Sequence, residues 1–402
     1  MLIEIIVALI VGVLAGTFTG LFPGIHINLV AAGLLASISY FSFVPNLGLV
    51  VFIVAMSITH TFIDFIPSIF LGVPNEDNFL SVLPGHEMLK EGKGFEAVVL
   101  TLYGGLFALF FIILFSFIFA KLLPYLFEYI KGTIPFILIF VSLYLIFREE
   151  KILIGFIVLL LSGFLGYFTF NLPVKEPLLP LLSGLFGVSG LIVSLKSKTK
   201  IPMQRNYSLR EIGMDKKSFF RTGFAAAVAA PLCSFLPGIG SGQAAVIGSE
   251  IMGKEADNRR NFLFLVGAIN TIVMSLSFVT AYSIQKGRTG SAAVVQEILG
   301  KISGLDLIVI LIAIVISGIV AFFVGVGMAG FFSRNINKID YGKVSWIILG
   351  LLFIVNLVLS NWIGLIVLAT GSALGVFCIL SGARRINLMG CLLIPSIVYY
   401  LS

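Results

Sequence analysis

The sequence predicts an all-α polytopic membrane protein made of two structurally repeated halves, each with helices broken or made re-entrant at a Pro-Gly motif. Three observations carry this. The chain of 402 residues is 59% hydrophobic and only 11% charged, against about 25% charged in ordinary soluble domains. Apolar runs such as Leu106 to Ala120, Ile152 to Phe170, Leu305 to Phe332 and Val344 to Thr370 read as membrane crossings, which need about 20 residues each. An apolar Pro-Gly turn also occurs twice, as LFPGIHINLVAAGLL around Pro23 and as FLPGIGSGQAAVIGS around Pro237.

Taken in order, MLIEIIVALIVGVLAG has no basic leader before its apolar run and reads as a retained first helix rather than a cleaved signal. It leads into the first turn, a short helix over 25–40, a longer broken helix over 47–71, a polar loop over 72–94, and further spans ending near Leu195. The same order restarts at Phe219 and runs to Leu401. His60-Thr61 aligns with Asn270-Thr271, and His86-Glu87-Met88-Leu89 with Gln296-Glu297-Ile298-Leu299. The expected division is a first transmembrane repeat over 1–195, a basic cytoplasmic linker over 196–218 and a second repeat over 219–402. Ten to fourteen membrane elements fit, and the run from Val344 to Thr370 is expected to turn or break near Asn361.

The net charge of +7 is concentrated in the linker, where Lys196, Lys198, Lys200, Arg205, Arg210, Lys216, Lys217 and Arg221 face only Glu211 and Asp215. Short basic loops stay on the cytoplasmic side, which places the linker inside a multi-pass cell-membrane protein and makes topology a better account than nucleic-acid binding. Cys233, Cys378 and Cys391 lie in apolar segments without CxxC spacing, so neither a disulfide framework nor a metal site is expected.

The turns are the expected binding site. Proline removes a backbone donor and glycine relaxes the chain, so each turn frees amide and carbonyl groups. Hydrocarbon tolerates such groups only where they are buried in protein or line a cavity, and breaks at corresponding places in two halves point to a transporter's substrate site. The candidates are Pro23, Gly24, His26 and Asn28 in the first half and Pro237, Gly238, Gly240, Ser241, Gly242 and Gln243 in the second, joined by Asn270 and Thr271. A helix start after each turn would hold an anion by its dipole and unpaired amides; the plainer reading is that Asn28 and Ser241 only cap their own helices.

His60 and Asp64 stand one helical turn apart in AMSITHTFIDFIPSIF, and ionisable groups inside a membrane are functional candidates by default. The second half offers only Asn270, Thr271 and Ser275 there, so one-sided proton coupling is preferred to Na⁺. Lys286 and Arg288 are secondary charge candidates, natural partners for a carboxylate or phosphate if their loop folds inward.

The string GVPNEDNFLSVLPGHEMLKEGKGFEA resembles the signature of the large permease subunit of tripartite tricarboxylate transporters, where a Thr-Pro-Gly turn precedes a Leu-Asp-Gly-Tyr-Pro-Met-Ala-Lys-Gln-Gly-like stretch. Pro23-Gly24 and Pro237-Gly238-Ile239-Gly240 are similar to that family's paired motifs, and Glu250 through Arg260 to its acidic-basic segment. The family's second-half segment is here VGAINTIVMSLSFVTAYSIQ, which keeps Asn270 but lacks the acidic residue and the following Pro-Gly turn. The resemblance implies a secondary-transporter fold without fixing the substrate or the need for a small membrane subunit and a solute-binding protein.

The expected function is secondary active transport of an anionic, carboxylate-bearing solute by alternating access, ion-coupled and needing no cofactor. The runner-up is translocation of a polyprenyl phosphate or another lipid phosphate, since paired Pro-Gly turns also resemble those of bacterial polyprenyl-phosphate translocases. A lipid enzyme lacks a nucleophile or metal constellation, and a channel lacks a filter-like string. Expected partners are membrane lipids, the anionic cargo and a further copy of the chain.

Overall fold

The computed structural model describes residues 2–22, 27–36, 44–72, 79–197, 202–205, 208–236, 240–336 and 341–401, all in helices, turns and loops. The first half holds α1 (Leu2–Leu21), α2 (Ile27–Ala36), α3 (Asn46–Ile63), α4 (Phe65–Leu71), α5 (Val82–Lys90), α6 (Gly94–Ile130), α7 (Ile134–Phe147), α8 (Ile152–Asn171), α9 (Leu178–Leu182) and α10 (Ser189–Ser197). After the linker come α11 (Lys216–Cys233), α12 (Ser241–Met252), α13 (Arg259–Ile284), α14 (Gly290–Leu299), α15 (Gly304–Asn335), α16 (Tyr341–Ser381) and α17 (Gly390–Leu401). Among the described residues, seven helical stretches are long and apolar enough to cross a membrane. Two of them, 46–71 and 259–284, are 94% buried, whereas the other five are less than half buried, so α3 with α4 and α13 form the centre.

Small residues let the central helices approach. A Cβ at Gly12 would sit 2.6 Å from the Phe52 carbonyl, one at Gly16 2.7 Å from Thr59 Cβ, and one at Gly20 2.8 Å from Ile63 Cβ. The residue numbers rise together, so α1 lies parallel to α3 along a small-xxx-small stripe. Gly104 of α6 meets the Phe264 carbonyl and Ala268 N of α13, while Gly267 meets Thr101. Ser283 then donates to the Ala120 carbonyl at 2.6 Å near the far ends, making α6 and α13 parallel. Phe70 pairs with Phe332 at 5.9 Å and Gly325 lies against Ile63, so α3 and α15 are parallel too. Gly318 packs on Leu109, Gly325 on Leu102 and Gly330 on Phe95, which sets α15 antiparallel to α6 and therefore α3 antiparallel to α13.

This packing gives a direct stability prediction. Gly104→Val drives a branched side chain into backbone on α13, and overpacking of this kind costs about 1–3 kcal/mol. Gly327, where a Cβ would meet nothing within 4 Å, is the control. A thermal unfolding scan in detergent should show a lower midpoint for Gly104→Val and none for Gly327→Ala; equal midpoints would contradict the close crossing.

The charged segments gather at one end. Gln204 accepts from Gly94 N at 2.8 Å and donates to the Leu89 carbonyl at 3.0 Å. Arg205 N donates to the Gly92 carbonyl at 2.8 Å, and Tyr103 donates to the Leu209 carbonyl at 2.9 Å. The linker is thus strapped over α5 and α6. Arg259 pairs with Glu87 at 3.5 Å and Glu91 at 2.7 Å, Arg260 pairs with the buried Glu96, and Arg148 pairs with Glu250. The Arg259 guanidinium, then Lys93, holds the Glu91 carboxyl below its ordinary value.

One sequence expectation changes in detail and another holds. The loop over 72–94 contains α5, whose His86 ring nitrogen Nδ1 lies 3.1 Å from the Ile69 carbonyl; burial lowers its pKa from the usual histidine value. The break in α16 falls at Asn361, with φ 65° and ψ −175°. Its Oδ1 accepts from Ile363 N at 2.9 Å and its Nδ2 donates to the Pro173 carbonyl at 2.8 Å, so α16 is a hairpin of two arms.

Helices from both halves mix in two packed groups. α1–α6 and α11–α15 pack on one another, and α7–α10, α16 and α17 pack on one another.

Candidate functional site

α3 and α13 carry the buried polar groups at the centre. At the end of α3, the Ile63 carbonyl faces Pro67 of α4, which has no amide hydrogen to offer it, and the helix breaks at Asp64 before resuming as α4. Gly72, with φ 68°, ends α4 in the left-handed conformation that glycine adopts readily. His60 and Asp64 are each 2% exposed. The His60 Nε2 atom lies 3.9 Å from Asp64 Oδ2, and Nδ1 lies 3.0 Å from Thr19 Oγ1 on α1. Sequence reasoning paired His60 with Asp64 and missed Thr19. The signal was available: Thr19 flanks the stripe of Gly12, Gly16 and Gly20 that seats α1 on α3.

On the other side, α12 begins after the second turn. Gln243 Oε1 accepts from Gly240 N at 2.8 Å, capping the helix start. Ser241 Oγ donates to Asn270 Oδ1 at 3.3 Å, which joins the start of α12 to the middle of α13. With both amide oxygens so engaged, the NH₂ groups are the ones left over: Gln243 Nε2 and Asn270 Nδ2 are buried without a partner among the described residues. Gln243 and Asn270 are each 1% exposed. The hydroxyls of Thr271 and Ser275 on α13, and of Ser57 and Thr59 on α3, are buried in the same condition.

Arg288 donates from Nε to the Leu236 carbonyl at 3.2 Å, which brings its guanidinium to the entrance of the second turn. Lys286 instead rests over the Phe127 ring at 5.2 Å, a cation–π placement that takes it to the end of α6. The structure therefore brings Gly240, Ser241, Gly242, Gln243 and Asn270 together, sets Thr271 next along α13 and places Arg288 nearby. Pro23, Gly24, His26, Pro237 and Gly238 lie outside the described residues; Asn28 falls in the first turn of α2.

The donor set suits an anion. Two amide NH₂ groups, two hydroxyls and a helix N-terminus offer hydrogen bonds and positive potential to an acceptor. Among the described residues, no group of three or more His, Cys, Asp or Glu side chains is placed to hold a metal.

Comparison with known proteins agrees with the membrane architecture. A protein of Methanocaldococcus jannaschii, itself described as uncharacterized, is 31% identical over 386 residues, 90% of this chain and 91% of that one. No solved structure matches. The tripartite tricarboxylate transporter TctA family matches residues 6–390; it is a family of transporters, not enzymes, and its members are the large subunits of tripartite systems. With nearly its whole length matched, the chain belongs to the tripartite tricarboxylate transporter TctA family.

Proposed function

We propose that the chain is a secondary active transporter of a carboxylate-bearing anion, working by alternating access and coupled to an ion, a proton in preference to Na⁺. The observation that carries the cargo reading is the pair of buried NH₂ groups, Gln243 Nε2 and Asn270 Nδ2, beside the start of α12. A buried donor without an acceptor costs about 1–3 kcal/mol, and a carboxylate held there relieves it at both nitrogens. Ser241, Thr271 and the N-terminal amides of α12 complete the cradle, and Arg288 adds positive charge near its mouth.

The two-repeat reading, 1–195 and 219–402 about the linker 196–218, is supported by helix direction. Exchanging α3 with α13 and α6 with α15 turns the parallel pair α6/α13 into the parallel pair α15/α3. The same exchange reverses each helix, as inverted repeats require. A cytoplasmic linker in a cell membrane is supported by the basic residues at that end. Proton coupling is supported by the buried His60–Asp64 pair. Family membership supports an accessory small membrane subunit and a solute-binding protein as partners.

The test is binding to the purified full-length chain with citrate, inorganic phosphate, a polyprenyl phosphate and choline as probes. The double variant Ser241→Ala, Gln243→Glu keeps the oxygen that caps Gly240 N while removing a hydroxyl and an NH₂ group. Each hydrogen bond to a charged ligand is worth about 1.5–3 kcal/mol, so citrate affinity should fall at least about tenfold with the protein still folded. Binding of choline alone would refute the anion reading, and binding of polyprenyl phosphate alone would transfer it to a lipid phosphate.

A further inference from the structure

The helices divide by packing along a line that differs from the division by sequence. One body holds α1–α6 with α11–α15, and the other holds α7–α10 with α16 and α17. Each half of the chain contributes to both. Within the first body the contacts are backbone-close, as at Gly104 against α13 and Gly16 against α3. The second body is equally tight: Gly166 meets the Cys391 carbonyl, Gly390 meets Leu159, and a Cβ at Gly184 would sit 2.6 Å from the Leu368 carbonyl. Buried Glu149 also accepts from Arg384 N at 3.2 Å and from Asn387 Nδ2 at 2.8 Å, which ties the end of α7 to the segment before α17.

Between the bodies, the more extensive packing among the described residues is at the chain connection 131–133, and a Cβ at Gly190 of α10 would sit 3.5 Å from the Gly72 carbonyl at the end of α4. Among the described residues, Arg148 pairs with Glu250 across the boundary, with side chains 49% and 35% exposed, and Tyr144 of α7 hydrogen-bonds the same carboxylate. A surface pair of this kind is worth about 0–1 kcal/mol. Breaking that pair costs little, whereas separating the two halves of the sequence would tear apart α6 from α13 and α3 from α15.

All the groups assigned to cargo and coupling lie in the first body: His60 and Asp64 on α3 and its break, Thr19 on α1, Ser241 and Gln243 on α12, Asn270 on α13. We infer that the loaded site crosses the membrane by displacement of the body α1–α6/α11–α15 as one rigid unit against the body α7–α10/α16–α17, not by rocking of one sequence half against the other. This rests on the transport reading above. It adds which parts move and predicts that the ion pairs joining the two halves inside the first body, Arg259 with Glu87 and Glu91, persist through the cycle.

The experiment uses two cysteine pairs in the full chain and a short bifunctional thiol reagent with a cleavable disulfide. Arg148→Cys with Glu250→Cys joins the two bodies; Glu87→Cys with Arg259→Cys joins the two sequence halves within one body. In proteoliposomes, citrate counterflow should fall at least about tenfold on crosslinking the first pair, recover on reduction, and stay within about twofold for the second. Counterflow that survives the first crosslink, or stops at the second, overturns the inference. Spin labels at Glu87, Glu150 and Lys254, all exposed, decide the matter without a known cargo. The 87–254 distance, between halves but within the first body, should stay single and narrow in lipid. The 87–150 distance, within one half but between bodies, should be split or broadened. A single, narrow 87–150 distance, or a variable 87–254 distance, overturns it. If both spectroscopic expectations hold while no anion is transported, the cargo reading falls and the two-body motion stands.

Discussion

Asn270→Asp should lower the affinity for a carboxylate anion by about 100-fold or more while leaving the protein folded. The substitution preserves shape and keeps the oxygen that accepts from Ser241 Oγ at 3.3 Å. It exchanges Nδ2, buried without a partner among the described residues, for a second oxygen. A cargo carboxylate then loses a charge-assisted hydrogen bond worth about 1.5–3 kcal/mol and meets a like charge in a site sealed from water, where screening is weak. At about 1.4 kcal/mol per decade, the hydrogen bond alone accounts for ten- to a hundredfold. Calorimetric titration of citrate into wild type and variant reads this directly. The sign is what discriminates: were this centre a Na⁺ site, a new carboxylate would strengthen ligand binding, and tighter binding in the variant would end the anion assignment.

Asp64→Asn should abolish proton-driven accumulation and spare exchange. The side chains of His60 and Asp64 face each other across 3.9 Å, and Thr19 holds the other imidazole nitrogen at 3.0 Å. Asparagine fills the same volume at the break before α4 but carries no proton through the cycle. A gradient of one pH unit is worth about 1.4 kcal/mol per proton, which corresponds to tenfold accumulation of cargo. Proteoliposomes bearing the variant should show none of it, yet still exchange internal for external labelled citrate. Full pH-driven accumulation by Asp64→Asn would make the residue structural, and a Na⁺ gradient would then be the next driving force to apply.

Much of this was legible from local sequence because the signals are local. Composition and run length gave the crossings, Asn361 in an otherwise apolar run marked the break in α16, and the residues after Pro237 fell at a helix start. The His60–Asp64 spacing put both side chains on one face. What could not be read depends on partners far away in the chain. The tether from Thr19 to His60 requires knowing that α1 lies parallel to α3. The fate of Lys286, over Phe127 rather than in the centre, depends on where α6 ends. α5 was read as loop because VLPGHEMLK carries a proline, a glycine and three ionisable residues. Its helix is held by packing of Gly85 against Ile69 and by the His86 contact to the Ile69 carbonyl. The grouping of α7–α10 with α16 and α17 is a purely tertiary fact, invisible to any periodicity.

The hairpin at Asn361 bears on how the chain is made. Its tip is fastened to a loop synthesised long before: Asn361 Nδ2 donates to the Pro173 carbonyl across 188 residues, and Ser360 Oγ to the Glu176 carbonyl across 184. During biosynthesis the two arms of α16 emerge as one apolar stretch of 41 residues, in which Asn361 marks the point of reversal. The loop at 173–176 supplies a pair of backbone acceptors that fix the turn in place. Those acceptors belong to the first half of the chain, so the reversal of direction at Asn361 is held by residues made earlier as well as by the residues that turn.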